Sequence, residues 1–319
     1  MKSLYLAASM CASLAWAMPD ALAQAYPTRA VTIVIPASPG ASTDGIGRQF
    51  AKVLEGQFKQ PVVVENRAGA GGYVGGSYVA RATPDGYTVM YAPDVILYSN
   101  LFIKGQRALS EDLLPMASIG TTPYMMFASA KLGVKNLRDF VALVKANPGK
   151  FNYGTVGGTT VQLEMASFVR SAGLDMVEIP YPESTSAMRD LAGGSIEFFY
   201  STIGSLKVLI DGGKGFGIAV LGERRSPAVP DVGTAAEQGM NIQYATNVGF
   251  FGPLNLPKEV IDRFNRAASD GANSAEGRAI LAKFGFDPLS TSPEDMRRVI
   301  TTNTKRYAEV ANQIGLKPQ

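Results

Sequence analysis

Short β-branched runs alternate with longer amphipathic patterns along nearly the whole chain, and this change of period from 2 to 3.6 limits it to an α/β fold. VTIVI (31–35) reads as a strand and residues 43–59 as a helix. PVVVEN follows as a strand, 72–81 as a helix after a glycine cluster, and YTVMYA as a strand after the Pro84-Asp85-Gly86 turn. The same grammar restarts at YMMFAS (124–129). A helix is predicted over 136–146, ended by Asn147-Pro148-Gly149; FNYGT (151–155) then leads through a glycine-rich loop into a helix over 160–172. MVEIP pairs with a helix at 184–193, IEFFY with the segment 203–210, and GIAVL (217–221) closes the block. The chain is β-like through IQYATNVGFFGP and then helical over 257–273, 275–285 and 293–313, the last opened by Ser292-Pro293-Glu294.

A helical tail of this kind must bury its apolar faces on a sheet, and the first block has a face to cover. Two lobes are therefore expected, each a mainly parallel sheet flanked by helices: lobe 1 from 24–123 plus 249–319, lobe 2 from 124–248. Crossovers near 121–126 and 245–252 would leave a cleft between them.

The N-terminus predicts export. Lys2, the apolar run LYLAASMCASLAWA and the small-x-small step Ala21-Leu22-Ala23 form a signal peptide (1–23), with Ala15-Trp16-Ala17 as the second cleavage choice and a mature chain from about Gln24. The run falls short of the roughly 20 residues of a membrane span. Cys11 is the only cysteine and lies within that segment, so the mature chain is held by its core alone. Histidine is absent, which removes Ser-His-Asp machinery, imidazole-bound zinc and the usual neutral-pH acid/base; no metal or cofactor is expected. Thirty basic residues against 27 acidic ones, with no long basic run, leave no footprint for nucleic acid.

Ligands of open α/β sheets sit beyond the carboxyl ends of the strands. Three stretches fall there: SPGASTDGIGRQF (38–50), with Ser42, Thr43 and Asp44 at the start of a helix; Gly154 to Thr160, including Gly157, Gly158, Thr159 and Thr160; and Ala92-Pro93-Asp94. The first two can offer unpaired N–H groups and hydroxyls at a helix N-terminus, an anion site needing no cationic side chain. The alternative is that Ser, Thr and Asp only cap their own helices. Nucleotide is excluded at the first loop because Ile46 and Gly47 stand where a Walker motif needs Lys and Ser/Thr, and no G-x-G-x-x-G exists. GAGGYVGG (69–76) reads as a packing loop, whereas Tyr181, after a strand and between two prolines, is placed at the cleft.

AYPTRAVTIVIPASPGASTDGIGR, QPVVVENRAGAGG, ATPDGYTV, ANPGKFNYGTVGG, LAGGSIEFF and ERRSPAVPDVGTAAEQG, in this order, resemble the Bug or TctC family. These are periplasmic receptors of tripartite tricarboxylate transporters. The resemblance implies a two-lobe periplasmic-binding-protein type II architecture, no enzymatic activity, and a receptor that closes on a small organic carboxylate and delivers it to membrane permease subunits; a monomer is assumed. A secreted carboxylate- or Ser/Thr-based enzyme, and a receptor for a signalling partner, are the competing readings. Pro39 to Asp44 and Gly154 to Thr160 match the family's carboxylate-gripping loops. Ala41, Asp94, Pro182, Ser201 and Asn247 depart from its pattern, and Ser201 and Asn247 join the expected ligand set with Pro93 and Asp94. An ionised Asp94 facing the cleft would repel a second ligand carboxylate; the alternative is that it caps the next segment and points away.

Overall fold

A computed structural model describes residues 26–182 and 184–318; the predicted signal peptide and its cleavage site lie outside the described residues. The first lobe opens with β1 (Val31–Ile35), α1 (Ser42–Phe58), β2 (Val62–Asn66), α2 (Tyr73–Ala80) and β3 (Thr88–Pro93). A 3-10 helix (Asp94–Leu101) and the short α3 (Leu109–Asp112) lead into β4 (Leu113–Ser129). The second lobe contains α4 (Leu137–Lys145), β5 (Asn152–Val156), α5 (Thr160–Ser171), β6 (Val177–Tyr181), α6 (Ser184–Gly193), β7 (Phe198–Thr202), α7 (Ile203–Asp211) and β8 (Gly215–Val220). After β9 (Ala245–Pro253) come α8 (Lys258–Asn273), α9 (Ala275–Lys283), the two-residue β10 (Asp287–Pro288) and α10 (Pro293–Gln313).

Strand β1 shows why its sequence, VTIVI, is apolar at every position but Thr32. Val31, Ile33 and Ile35 enter a core with Phe50 and Leu54 of α1 and Phe264 of α8, while Val34 enters a second core on the opposite face with Val79, Leu97 and Ile300. A strand covered on both faces has no solvent side to alternate with. The helical tail divides between the same two faces: α8 packs Phe264, Ala267 and Ala268 on one, α10 packs Met296, Ile300 and Tyr307 on the other. The second lobe has its own pair of cores, one around Phe140, Phe168 and Phe198 and one around Phe127, Phe199 and Leu206.

The sheets are mixed, which corrects the expectation of mainly parallel ones. Strands run β2-β1-β3-β9-β4 and continue β4-β7-β5-β6, with β8 also on β4. β2, β1 and β3 are parallel, as are β6, β5 and β7, but β9 is antiparallel to β3 and β4, and β4 is antiparallel to β7 and β8. The reason is the crossover itself, since β4 and β9 carry the chain between lobes in opposite directions. β4 is also longer than its sequence suggests, because Pro115, Gly120 and Pro123 read as breakers. Register shifts between Pro115 and Ala117 and between Ser118 and Gly120 let the strand absorb them.

Candidate carboxylate-binding site

Register places the two sets of strand ends at one point. In the first lobe β3 ends at Pro93, opposite Val248 of β9, which lies opposite Gly120 of β4. In the second lobe β7 ends at Thr202, opposite Tyr124 of β4. Gly120 and Tyr124 are four residues apart on one strand, about 13 Å. The carboxyl ends of the parallel strands of both lobes, and the helix N-termini that follow them, therefore meet from opposite directions at the crossover.

The loop after β1 is built around a buried carboxylate. Asp44, 4% exposed, accepts hydrogen bonds from the Gly40 N–H (2.9 Å), Arg48 Nε (2.9 Å) and Asn66 Nδ2 (2.8 Å). Burial alone would raise its pKa, but the bonds from Gly40, Asn66 and Arg48 and the Arg48 charge outweigh it and hold the carboxyl below its ordinary range. Gly40 takes φ +87°, the left-handed turn that aims its N–H back at Asp44. Asp44 thus secures the loop, while Ser42 is exposed and Thr43 half-buried at its rim.

The alternative reading of these residues as helix caps fails on geometry. The cap position of α1 is Ala41, and no side chain accepts from the first turn. The cap of α5 is Thr159, whose hydroxyl donates to Val156 O (2.7 Å) and accepts nothing from the helix. Asn136, Ser274 and Ser292, by contrast, do cap α4, α9 and α10 by accepting from an N–H of the first turn. Among the described residues, no backbone acceptor faces the N–H groups of Ser42, Thr43, Thr159 or Thr160. The Thr160 hydroxyl is fully buried and without a hydrogen-bond partner.

The glycine loop is more self-contained than its sequence suggests. The Gly157 N–H donates to Tyr181 O (3.0 Å) and the Gly158 N–H to Gln162 Oε1 (3.2 Å), so neither is free for an anion. Gln162 Nε2 in turn donates to Glu178 (3.1 Å), which also accepts from Thr155 (2.8 Å). The Tyr181 hydroxyl donates to Asp190 (2.8 Å); burial and that carboxylate push it up to about 12. Ser201 is buried in β7 opposite Met125.

Asp94 and Asn247 face one another. Asp94, 4% exposed, accepts from the Asn247 N–H (3.1 Å), Asn247 Nδ2 (2.9 Å) and Thr246 Oγ1 (3.3 Å), tying the 3-10 helix after Pro93 to β9. Burial raises its pKa to about 6 against the opposing pull of these bonds. Both carboxylate oxygens are committed to Thr246 and Asn247, so Asp94 is paired at the crossover.

The model of the tripartite tricarboxylate transporter family receptor, TctC, matches residues 46–316. The chain belongs to this family. This TctC member is 31% identical to a UPF0065 protein of Bordetella pertussis over 96% of each chain, and 30% identical to protein BugT of the same organism over 92% of each. Among solved structures it superposes on a Rhodopseudomonas palustris protein solved with adipate (TM-score 0.78, 28% identity, 92% of this chain and all of that one). It also matches the periplasmic binding protein BugD (TM-score 0.74, 26% identity, 92% and 100%).

Around the two candidate loops, the sequence did not show the side chains that support them. Arg48, Asn66, Gln162 and Glu178 make the bonds that hold the loops, and each looks like an ordinary surface residue in its own segment. Asn66 had one readable signal, since a strand-ending Asn beside β1 is placed to reach the β1 loop; its Nδ2 also donates to Ala37 O (3.0 Å). The GAGGYVGG segment is packing, as expected: a Cβ on Gly76 would come within 2.5 Å of Leu109 Cδ1.

Proposed function

We propose that this TctC receptor captures a small organic carboxylate between its lobes and delivers it to the membrane permease subunits of a tripartite transporter. The observation that carries the reading is that α1 and α5, one from each lobe, reach the crossover with uncapped N-termini. Each offers free N–H groups and about half a positive charge to one anion. Ser42, Thr43, Thr159 and Thr160 are the donors, with Asp44 securing the first loop. Pro93, Gly157, Gly158, Tyr181 and Ser201 shape the walls, and the Asp94–Asn247 pair anchors the crossover. The lobes divide as 24–123 plus 249–319 and 124–248, a reading supported by a pair of cores in each lobe, with Leu163 of α5 reaching into the other lobe's core, and by β4 and β9 as the connections. The protein acts without chemistry, as an exported periplasmic monomer; among the described residues no helix is long and apolar enough to cross a membrane.

Thr246 and Asn247 hold Asp94 at the crossover but are neutral donors that leave its charge in place, so a second ligand carboxylate must sit away from it. Relatives solved with adipate and with malate make dicarboxylates part of the ligand class to test. The test is thermal melting of the purified mature protein against a panel of mono- and dicarboxylates that includes both. A binder at 100 times its Kd should add about 2.7 kcal/mol to stability. Thr43→Phe and Thr159→Phe should abolish the shift while leaving the unliganded melting temperature within a few degrees. If no carboxylate moves the transition, or the shift survives both substitutions, the reading is wrong.

A further inference from the structure

Away from the two loops, α5 of the second lobe lies against α10 of the first. Leu163 of α5 is buried in the first lobe's core with Tyr98, Met296 and Tyr307, and Arg170 Nη1 donates to Gln313 O (2.6 Å). Between these contacts sits Glu164, 2% exposed. Its two carboxylate oxygens accept from different partners: Oε2 from the Tyr200 hydroxyl of β7 in its own lobe, Oε1 from the Tyr307 hydroxyl of α10 in the other lobe. Arg306 Nη2 stands 3.9 Å from Oε1, and its guanidinium lies over the rings of Tyr244 and Tyr307. A cavity of about 260 Å³ opens beside this cluster, walled by α5, α10 and residues 241–244, which lead into β9, so water has a short path to the carboxyl once the helices separate.

We propose that Glu164 is a positioning residue that, through Tyr307, sets how far the two lobes part, so that lobe opening is governed by the proton on this carboxyl. The consequence for affinity rests on the receptor reading, because Glu164 lies one turn from Thr160 on the helix whose N-terminus grips the ligand. The titratable groups facing it are Tyr200 and, more distantly, Tyr124 and Tyr244 on the second-lobe side, Tyr307 and Arg306 on α10, and Asp94 and Tyr98 on the 3-10 helix. All the tyrosines are pushed upward by burial and stay neutral, Arg306 stays charged, and Asp94 disfavours ionisation of Glu164. Burial, outweighing the two hydroxyls and Arg306, raises Glu164 to about 7 in the docked arrangement. When the helices part, water restores a lower value. The protonated form therefore favours docked lobes, and rising pH favours parted ones.

The mature region contains no cysteine, so Lys52→Cys on α1 and Lys145→Cys on α4, both exposed, accept a pair of dyes. Energy transfer between them in the unliganded protein reads the lobe separation. Between about pH 5.5 and about pH 8.5 the ratio of parted to docked molecules should rise about 30-fold if parting restores an ordinary glutamate. Glu164→Gln, a neutral isostere, should hold the low-pH distribution at every pH, and Tyr307→Phe should raise the parted fraction already at low pH. A wild-type distribution that ignores pH, or a Glu164→Gln variant that responds as wild type does, overturns the proposal. Since no ligand enters this measurement, its failure is distinct from failure of the melting test above.

Discussion

Replacing Asp44 by alanine tests the loop architecture most directly. Three donors lose their acceptor. Arg48 is about half exposed and recovers water, so its loss counts for little. The Gly40 N–H and the Asn66 amide are part-buried, and each gives up a hydrogen bond to a charged acceptor, worth about 1.5–3 kcal/mol apiece. Against this, alanine relieves the burial of a carboxylate, which is the largest single influence on Asp44. The net cost at neutral pH should be about 2–4 kcal/mol. Because the folded-state pKa of Asp44 lies below its unfolded value, the contribution is present above the unfolded pKa and is lost as pH falls through the folded one. Urea unfolding of wild type and Asp44→Ala at about pH 7 and about pH 3 should therefore show a large difference that shrinks on acidification. A loss under about 1 kcal/mol at neutral pH, or one that is the same in acid, would refute the assignment of Asp44 as the loop's anchor.

Asn247→Ala should cost about 1–3 kcal/mol by leaving a buried Asp94 oxygen without its amide donor, measured by urea unfolding. Asp94 and Glu164 both have folded pKa values raised above their unfolded ones, to about 6 and about 7. Their joint contribution to stability is full below the unfolded carboxylate range and is lost as pH rises through about 7, so the double variant Asp94→Asn/Glu164→Gln should flatten the fall in unfolding free energy over that window. Gly76→Ala should destabilise by about 1–3 kcal/mol through its clash with Leu109, and Leu109→Ala should absorb most of that penalty in a double-mutant cycle.

The sequence located all the long helices to within a residue or two, because each carries a 3.6 period and visible ends, such as Asn147-Pro148-Gly149 after α4 and Ser292 before α10. It also located the two strand-to-helix loops proposed to hold the ligand, since junctions with Gly, Ser and Thr are local patterns. It did not reveal that Gly157 and Gly158 spend their N–H groups inside the protein, because their acceptors, Tyr181 O and Gln162, are positioned by the parallel pairing of β5 with β6 and by the first turn of α5.

Local pattern was enough for the α/β alternation, for the two-lobe arrangement implied by the returning helical tail, and for the loops that face the crossover. The mixed sheet, the first half of β4 and the fate of the charged groups emerged only when distant segments met. Asp94 meets Asn247 across 153 positions of chain, and Glu164 meets Tyr307 across 143. Periodicity reports which face of a segment is buried. Which partner waits there depends on strand register and helix docking between lobes, and for a buried carboxylate that partner decides whether the group binds, anchors or switches.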